Sequence, residues 1–150
     1  MWKKLLATLA MAVAAIAIVP AIAHADPGSG LTCGGFGCDG RDPIASHCAD
    51  QNFTEGGSTV VSTPGDRIEL HFSPACETAW AYTTTNLSAQ IRITSYYPNG
   101  STRTVYTSTT NGSIHYTPMV FDGYLNGNYT AIACEYLPMT VNGWVCTPPW

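Results

Sequence analysis

All six cysteines of this chain, Cys33, Cys38, Cys48, Cys76, Cys134 and Cys146, lie downstream of a segment patterned for export. That segment has a basic start at Lys3 and Lys4 and an apolar stretch from Leu5 to Ile22 broken by Pro20. It ends in Ala23-His24-Ala25. Basic, apolar and small-residue regions in that order describe a secretory signal. The reading takes residues 1–25 as a signal peptide cleaved after Ala25, leaving Asp26 to Trp150 as the mature chain. The competing reading is a membrane anchor, since the apolar stretch approaches spanning length. Pro20 and the A-x-A ending oppose it, and no later segment is apolar enough to cross a bilayer. The expected mature protein is secreted, extracellular and free of the membrane.

An even number of cysteines in an exported chain of this size predicts disulfides. Zinc is the rival, but zinc sites usually show Cys-x-x-Cys pairs, and none occurs here. No metal and no cofactor is expected. Sequence does not choose among the pairings that six cysteines allow. The preferred set is Cys33–Cys38, Cys48–Cys76 and Cys134–Cys146. The first closes the flexible loop Gly34-Gly35-Phe36-Gly37. The other two join cysteines that flank plausible turns or adjacent strands.

Charge removes one class of partner. Both lysines precede residue 26, so Arg41, Arg67, Arg92 and Arg103 face all ten acidic residues in the mature chain, a net charge of −6. A phosphate backbone demands a dense set of cations, so nucleic acid is an unsuitable partner, and anionic membrane surfaces are disfavoured likewise.

The hydrophobic pattern is that of strands. Arg67-Ile68-Glu69-Leu70-His71-Phe72 alternates with period two, placing Ile68, Leu70 and Phe72 on one face and Arg67, Glu69 and His71 on the other. Ala79 to Thr84 reads as its neighbour, and Thr59 to Ser62 is a β-branched run. Further strands are expected over 89–97, 101–108, 113–121, 128–136 and 141–147. Pro64-Gly65-Asp66, Asn99-Gly100, Asn111-Gly112, Asn126-Gly127 and Asn142-Gly143 punctuate them. Asparagine and glycine tolerate the positive φ that tight hairpins require. Abundant threonine and tyrosine suit a half-wet sheet. The expected fold is all-β, a small disulfide-bonded antiparallel sandwich or open barrel of about seven or eight strands. A loop-rich cysteine-containing segment, residues 26–58, precedes the β region of 59–150. A short helical turn is expected near Pro43 to Ala49.

Cys33-x4-Cys38-Asp39-Gly40-Arg41-Asp42-Pro43, Cys48, Ile68-Glu69-Leu70-His71-Phe72-Ser73, Cys76 and Ala79-Trp80-Ala81 follow one another in an order that resembles domain-of-unknown-function family 2690. That family shows a cysteine-bearing Gly-Lys-Asp-Pro-like turn, a third cysteine, a Leu-Arg-Tyr-Ser-like strand, a fourth cysteine and a Trp-Ala pair. His71-Phe72 stands here where Arg-Tyr is usual. Thr117-Pro118-Met119-Val120 and Ala133-Cys134 resemble its later segment. The resemblance implies an exported bacterial protein of actinomycete type, with Cys38 to Pro43, Cys48, Cys76 and Trp80 as one structural unit. It implies no activity.

No catalytic residue is assigned. Serines are frequent, but none sits in a Gly-x-Ser-x-Gly setting. His47, His71 and His115 read as exposed or hydrogen-bonded histidines, and an enzyme would need one of them beside an acid in a cleft. Asp39, Asp42 and Pro43 read as a structural turn, since aspartate in a turn bonds its own backbone. Calcium on Asp39 and Asp42 is the lesser reading, because the ligand density is low. Tyr96, Tyr97, Trp144 and Trp150 are candidate binding aromatics, set against the role of tyrosine in core and cross-strand pairs. Thr147-Pro148-Pro149-Trp150 reads as a frayed tail or a docking motif.

These features favour an exported, non-catalytic binding or interaction protein, a subunit or adaptor of an extracellular complex with a protein partner. A carbohydrate or cell-wall binding module is the first alternative, and a small inhibitor or hydrolase the second.

Overall fold

The computed structural model describes residues 30–50, 53–61, 66–85, 88–110, 114–123, 127–138 and 142–150. The expected signal peptide and the turns at Pro64-Gly65 and Asn111-Gly112 lie outside the described residues.

The chain folds as two antiparallel sheets packed face to face. The first has the order β1-β2-β3-β6, with β7 also pairing β3. Its strands are β1 (Thr54–Val60), β2 (Arg67–Ser73), β3 (Thr78–Thr83), β6 (His115–Tyr116) and β7 (Val120–Phe121). The second has the order β5-β4-β8-β9. It holds β4 (Gln90–Tyr96), β5 (Thr102–Ser108), β8 (Thr130–Tyr136) and β9 (Trp144–Cys146). Sandwich rather than barrel is therefore the architecture.

The alternation of β2 decides its faces. Ile68, Leu70 and Phe72 meet Ala79 and Ala81 of β3, Ile91 and Ile93 of β4, and Ala131 and Ala133 of β8 in one buried core. Each large side chain in it contributes roughly 1.5–3 kcal/mol of burial. The alanines of β3 and β8 let the sheets approach over the larger residues of β2 and β4.

Two strand expectations change. The run 113–121 is split into β6 and β7, which pair with different ends of β3. Pro118 lies between them, and proline cannot donate to a ladder. β1 opens at Thr54, ahead of the expected boundary between residues 58 and 59. It carries a register shift between Glu55 and Gly57, and the extra residue, Gly56, forms a bulge.

The amino-terminal segment covers the outer face of the first sheet. It contains a short 3-10 helix at Gly35–Cys38. The expected turn after Pro43 is held by the Ser46 and Ala49 amides, which donate to the carbonyls of Asp42 and Pro43. The Gly40 amide donates to the Met119 carbonyl at 2.8 Å, and the Met119 amide to the Arg41 carbonyl at 2.8 Å. Disulfides join Cys33 to Cys38, Cys48 to Cys76 and Cys134 to Cys146, the same pairs preferred from the sequence. Cys33, Cys38, Cys48 and Cys76 form a second buried cluster with Trp80 and Met119. The sulfurs of Cys33, Cys38 and Cys48 lie within 4.8 Å of one another. Each is half of a disulfide, and metal ligation takes a thiolate.

The carboxyl terminus is no frayed tail. Trp150 packs on the main core, with its ring centroid 4.9 Å from that of Phe72.

Candidate functional site

The site grows from the outer face of β2 and β3. Strand alternation that sends Leu70 and Ala81 inward sends Glu69, His71, Trp80 and Tyr82 outward. Register then sets them side by side: Glu69 opposite Tyr82, and His71 opposite Trp80. Tyr116 of β6 pairs with Tyr82, and Phe53 leads into β1. The amino-terminal segment supplies the facing wall with Ile44, Ala49 and Asp50. Between them lies a cleft of about 540 Å³, within the ordinary range of roughly 300–1,000 Å³ for ligand sites.

His71 is the centre of its floor. Its ring lies between those of Phe53, 4.5 Å away, and Tyr82, 4.7 Å away, both stacked nearly parallel. Trp80 approaches it edge-on at 5.6 Å. Nε2 lies 2.9 Å from Glu69 Oε2. An ionised carboxylate only accepts, so Nε2 carries the proton and donates. The sequence placed His71 on the polar face of the strand as an exposed or hydrogen-bonded histidine; it is hydrogen-bonded, and only 6% exposed. Cross-strand aromatic packing and the amino-terminal cover remove it from water.

Charge and apolarity share the rim. Glu55, Glu69 and Asp50 line the cleft, and Asp50 accepts from His47 Nδ1 at 2.9 Å. Burial pushes the Tyr82 phenol up, helped by the charge of Glu69. The Tyr116 phenol is raised by burial and by its charge interaction and hydrogen bond with Asp42. Ile44, Phe53 and Ile114 stand at the edge with exposures of 49%, 43% and 61%. Among the described residues, the hydroxyls of the lining belong to Thr84, Tyr82 and Tyr116, and neither serine nor cysteine lines it.

The residues singled out from sequence lie elsewhere. Asp42 Oδ1 accepts from the Ile44 and Ala45 amides at 2.8 and 2.9 Å, closing the turn at Pro43. Asp39 does more than turn the chain. Its Oδ2 accepts from Arg103 Nε at 2.9 Å, and its Oδ1 accepts from the Phe121 amide at 3.4 Å, which ties the segment to β5 and β7. Tyr97 is held edge-on by Phe36 and Tyr129, while Tyr96 is exposed at the end of β4. Trp144 lies on the outer face of the second sheet, with the Arg92 guanidinium 4.1 Å from its ring centroid. The histidines do not converge: His71 occupies the floor, His47 meets the rim only through Asp50, and His115 Nε2 lies 2.9 Å from the backbone of Thr110. Phe53, Trp80, Tyr82 and Tyr116 were missed as site residues. The signal was there in the alternation of β3, which sets Trp80 and Tyr82 on the face shared with Glu69 and His71.

No curated protein and no solved structure matches the chain. The family described as protein of unknown function (DUF2690) matches residues 36–134, a span that holds the Cys48–Cys76 disulfide, the cleft floor and, among the described residues, eight of the nine strands in whole or part. The chain belongs to that family.

Proposed function

We propose that the protein is an exported binding protein that docks an extracellular polypeptide partner in the cleft on the outer face of the first sheet. The observation that carries this is the rim. Three of the large exposed hydrophobics, Ile44, Phe53 and Ile114, gather around one cleft with an aromatic floor. Apolar side chains gathered at a concave site mark an interaction surface. Export is supported by the leader pattern of residues 1–25 and by three disulfides, which persist in oxidising compartments.

The Glu69–His71 pair supplies an oriented imidazole, the arrangement that a hydrolase reading requires. Binding is preferred because both faces of the ring are covered by Phe53 and Tyr82 and because, among the described residues, no serine or cysteine lines the cleft. The test is a pull-down from native culture supernatant with residues 26–150, run beside the double variant Ile44→Ser/Ile114→Ser. A stoichiometric companion kept by the wild type and lost by the variant supports the reading. A companion retained equally by both, or none at all, overturns it.

The outer face of the second sheet favours a second reading, a glycan-binding platform. Tyr106 and Tyr136 are 49% and 39% exposed and flank Trp144 at 6.3 and 5.3 Å, and aromatic faces stack on sugars. Sedimentation with purified peptidoglycan or chitin that Trp144→Ala abolishes would support it.

A further inference from the structure

We infer that the occupant of the cleft is a lysine or arginine side chain of the partner, carried between apolar residues. This rests on the reading of the cleft as a polypeptide dock and adds the chemistry that would be recognised there.

The first ground is charge. Among the described residues, the ionisable side chains of the lining, tyrosines aside, are Asp50, Glu55, Glu69 and His71, and neither lysine nor arginine is among them. Asp42 stands just behind, bonded to Tyr116. Three of the protein's four arginines are engaged elsewhere, Arg67 with Ser58, Arg92 with Trp144 and Arg103 with Asp39, and the exposed Arg41 is not among the described lining residues. Three carboxylates around a partly desolvated hollow favour a cation and repel phosphate or carboxylate.

The second ground is the aromatic lining. Tyr82, Tyr116 and Phe53 line the same space, with the buried Trp80 beneath them. A cation near an aromatic face is attracted by the ring quadrupole, and Arg92 over Trp144 shows this chain making that contact at 4.1 Å. A bare carboxylate cluster would suit a metal ion or water. Rings interleaved with carboxylates suit an organic cation whose methylene stem also gains from apolar contact.

The third ground is the rim. Ile44 and Ile114 flank the mouth and would meet the residues on either side of the inserted cation. An extended peptide with a basic residue between apolar ones fits all three features.

The experiment is selection of random heptapeptides displayed on phage against immobilised residues 26–150, with counter-selection on Ile44→Ser/Ile114→Ser. Both isoleucines are exposed, so the variant keeps its fold, which circular dichroism checks. The expected result is enrichment of Lys or Arg between apolar residues. A synthetic peptide of the enriched sequence then loses at least tenfold in affinity when norleucine replaces the cation. Glu55→Gln combined with Asp50→Asn removes most of that preference while leaving the norleucine peptide bound as before. If uncharged or acidic sequences are enriched and lost on the double-serine variant, the cation inference falls and the dock stands. If nothing enriched depends on the two isoleucines, both fall.

Discussion

Trp150 and Ala131 exchange two backbone hydrogen bonds, Ala131 N to Trp150 O at 2.9 Å and Trp150 N to Ala131 O at 3.1 Å. The last residue of the chain therefore continues the ladder that β9 makes with β8. Its indole reaches across to the first sheet and fills the hollow over Gly56, where an added Cβ would sit 2.8 Å from the ring and 2.6 Å from Leu70 Cδ2. The bulge needs glycine because Trp150 occupies that space. Trp150→Ala is expected to destabilise the fold by about 2–3 kcal/mol, below the 3–5 of a fully buried tryptophan because the residue is only half-buried. Gly56→Ala is expected to cost about 1–3 kcal/mol through overpacking. Urea unfolding monitored by far-UV circular dichroism measures both, and an unchanged midpoint for Trp150→Ala would contradict the assigned packing.

The all-β class was legible because β2 and β4 alternate polar and apolar residues, Ile68, Leu70 and Phe72 on one face of β2 and Ile91 and Ile93 on one face of β4. What hid the cleft was the outer face of β2. Arg67, Glu69 and His71 read as the polar face of a half-buried strand, and nothing local shows that a loop will lie across them. That cover depends on Cys48 meeting Cys76 and on Gly40 and Arg41 pairing with Met119, which are contacts between distant parts of the chain. The docking of Trp150 was not legible for a related reason: Thr147-Pro148-Pro149-Trp150 left a frayed tail and a docking motif both open, and its partner Ala131 belongs to another strand. The split of 113–121 was readable from Pro118, which bars a continuous ladder.

The disulfides should rank by the loop they close. Constraint of the unfolded chain predicts a contribution of about 3.5 kcal/mol for Cys48–Cys76, about 3 for Cys134–Cys146 and about 2 for Cys33–Cys38, following sequence separations of 28, 12 and 5 residues. Paired alanine variants tested by thermal unfolding should lose stability in that order. Loss of Cys48–Cys76 should also loosen the cleft wall at Ala49 and Asp50. Faster amide exchange there than in the Cys134→Ala/Cys146→Ala variant would show it.

Glu135 is fully buried between the sheets. Thr83 Oγ1 lies 2.8 Å from the Arg67 carbonyl and 2.9 Å from Glu135 Oε2. One hydroxyl has one proton, so it cannot donate fully to both. A protonated Glu135 resolves this: its O–H donates to Thr83 Oγ1, which donates to the Arg67 carbonyl. Burial raises the Glu135 carboxyl above the ordinary glutamate range, and Thr85 and Thr83 oppose the rise. A carboxyl raised in the folded state stabilises below its unfolded value, and that stability is lost as pH climbs through the folded one. Glu135→Gln, whose amide can donate to Thr83, should remove this loss and be at least as stable as the wild type at neutral pH. Denaturant midpoints for the two proteins at acid and neutral pH test it, and a strongly destabilised glutamine variant at neutral pH would count against a buried neutral carboxyl.

Asp122 offers the same logic with a defined pH. Its side chain is 1% exposed, neither carboxylate oxygen has a hydrogen-bond partner among the described residues, and burial pushes its carboxyl from 3.8 up to about 6. Between those values the unfolded chain ionises while the folded one holds its proton, so stability falls as pH rises. The full difference corresponds to at most ~3 kcal/mol. Asp122→Asn carries no charge at any pH and should lack this part of the slope. A constant offset from the new amide leaves the slope comparison intact, so the quantity to measure is the change in unfolding free energy between pH 4 and pH 7. The wild type should lose more than Asp122→Asn over that interval, by about 2–3 kcal/mol. Parallel profiles would mean that Asp122 titrates alike in the folded and unfolded chain, so that burial does not raise its carboxyl.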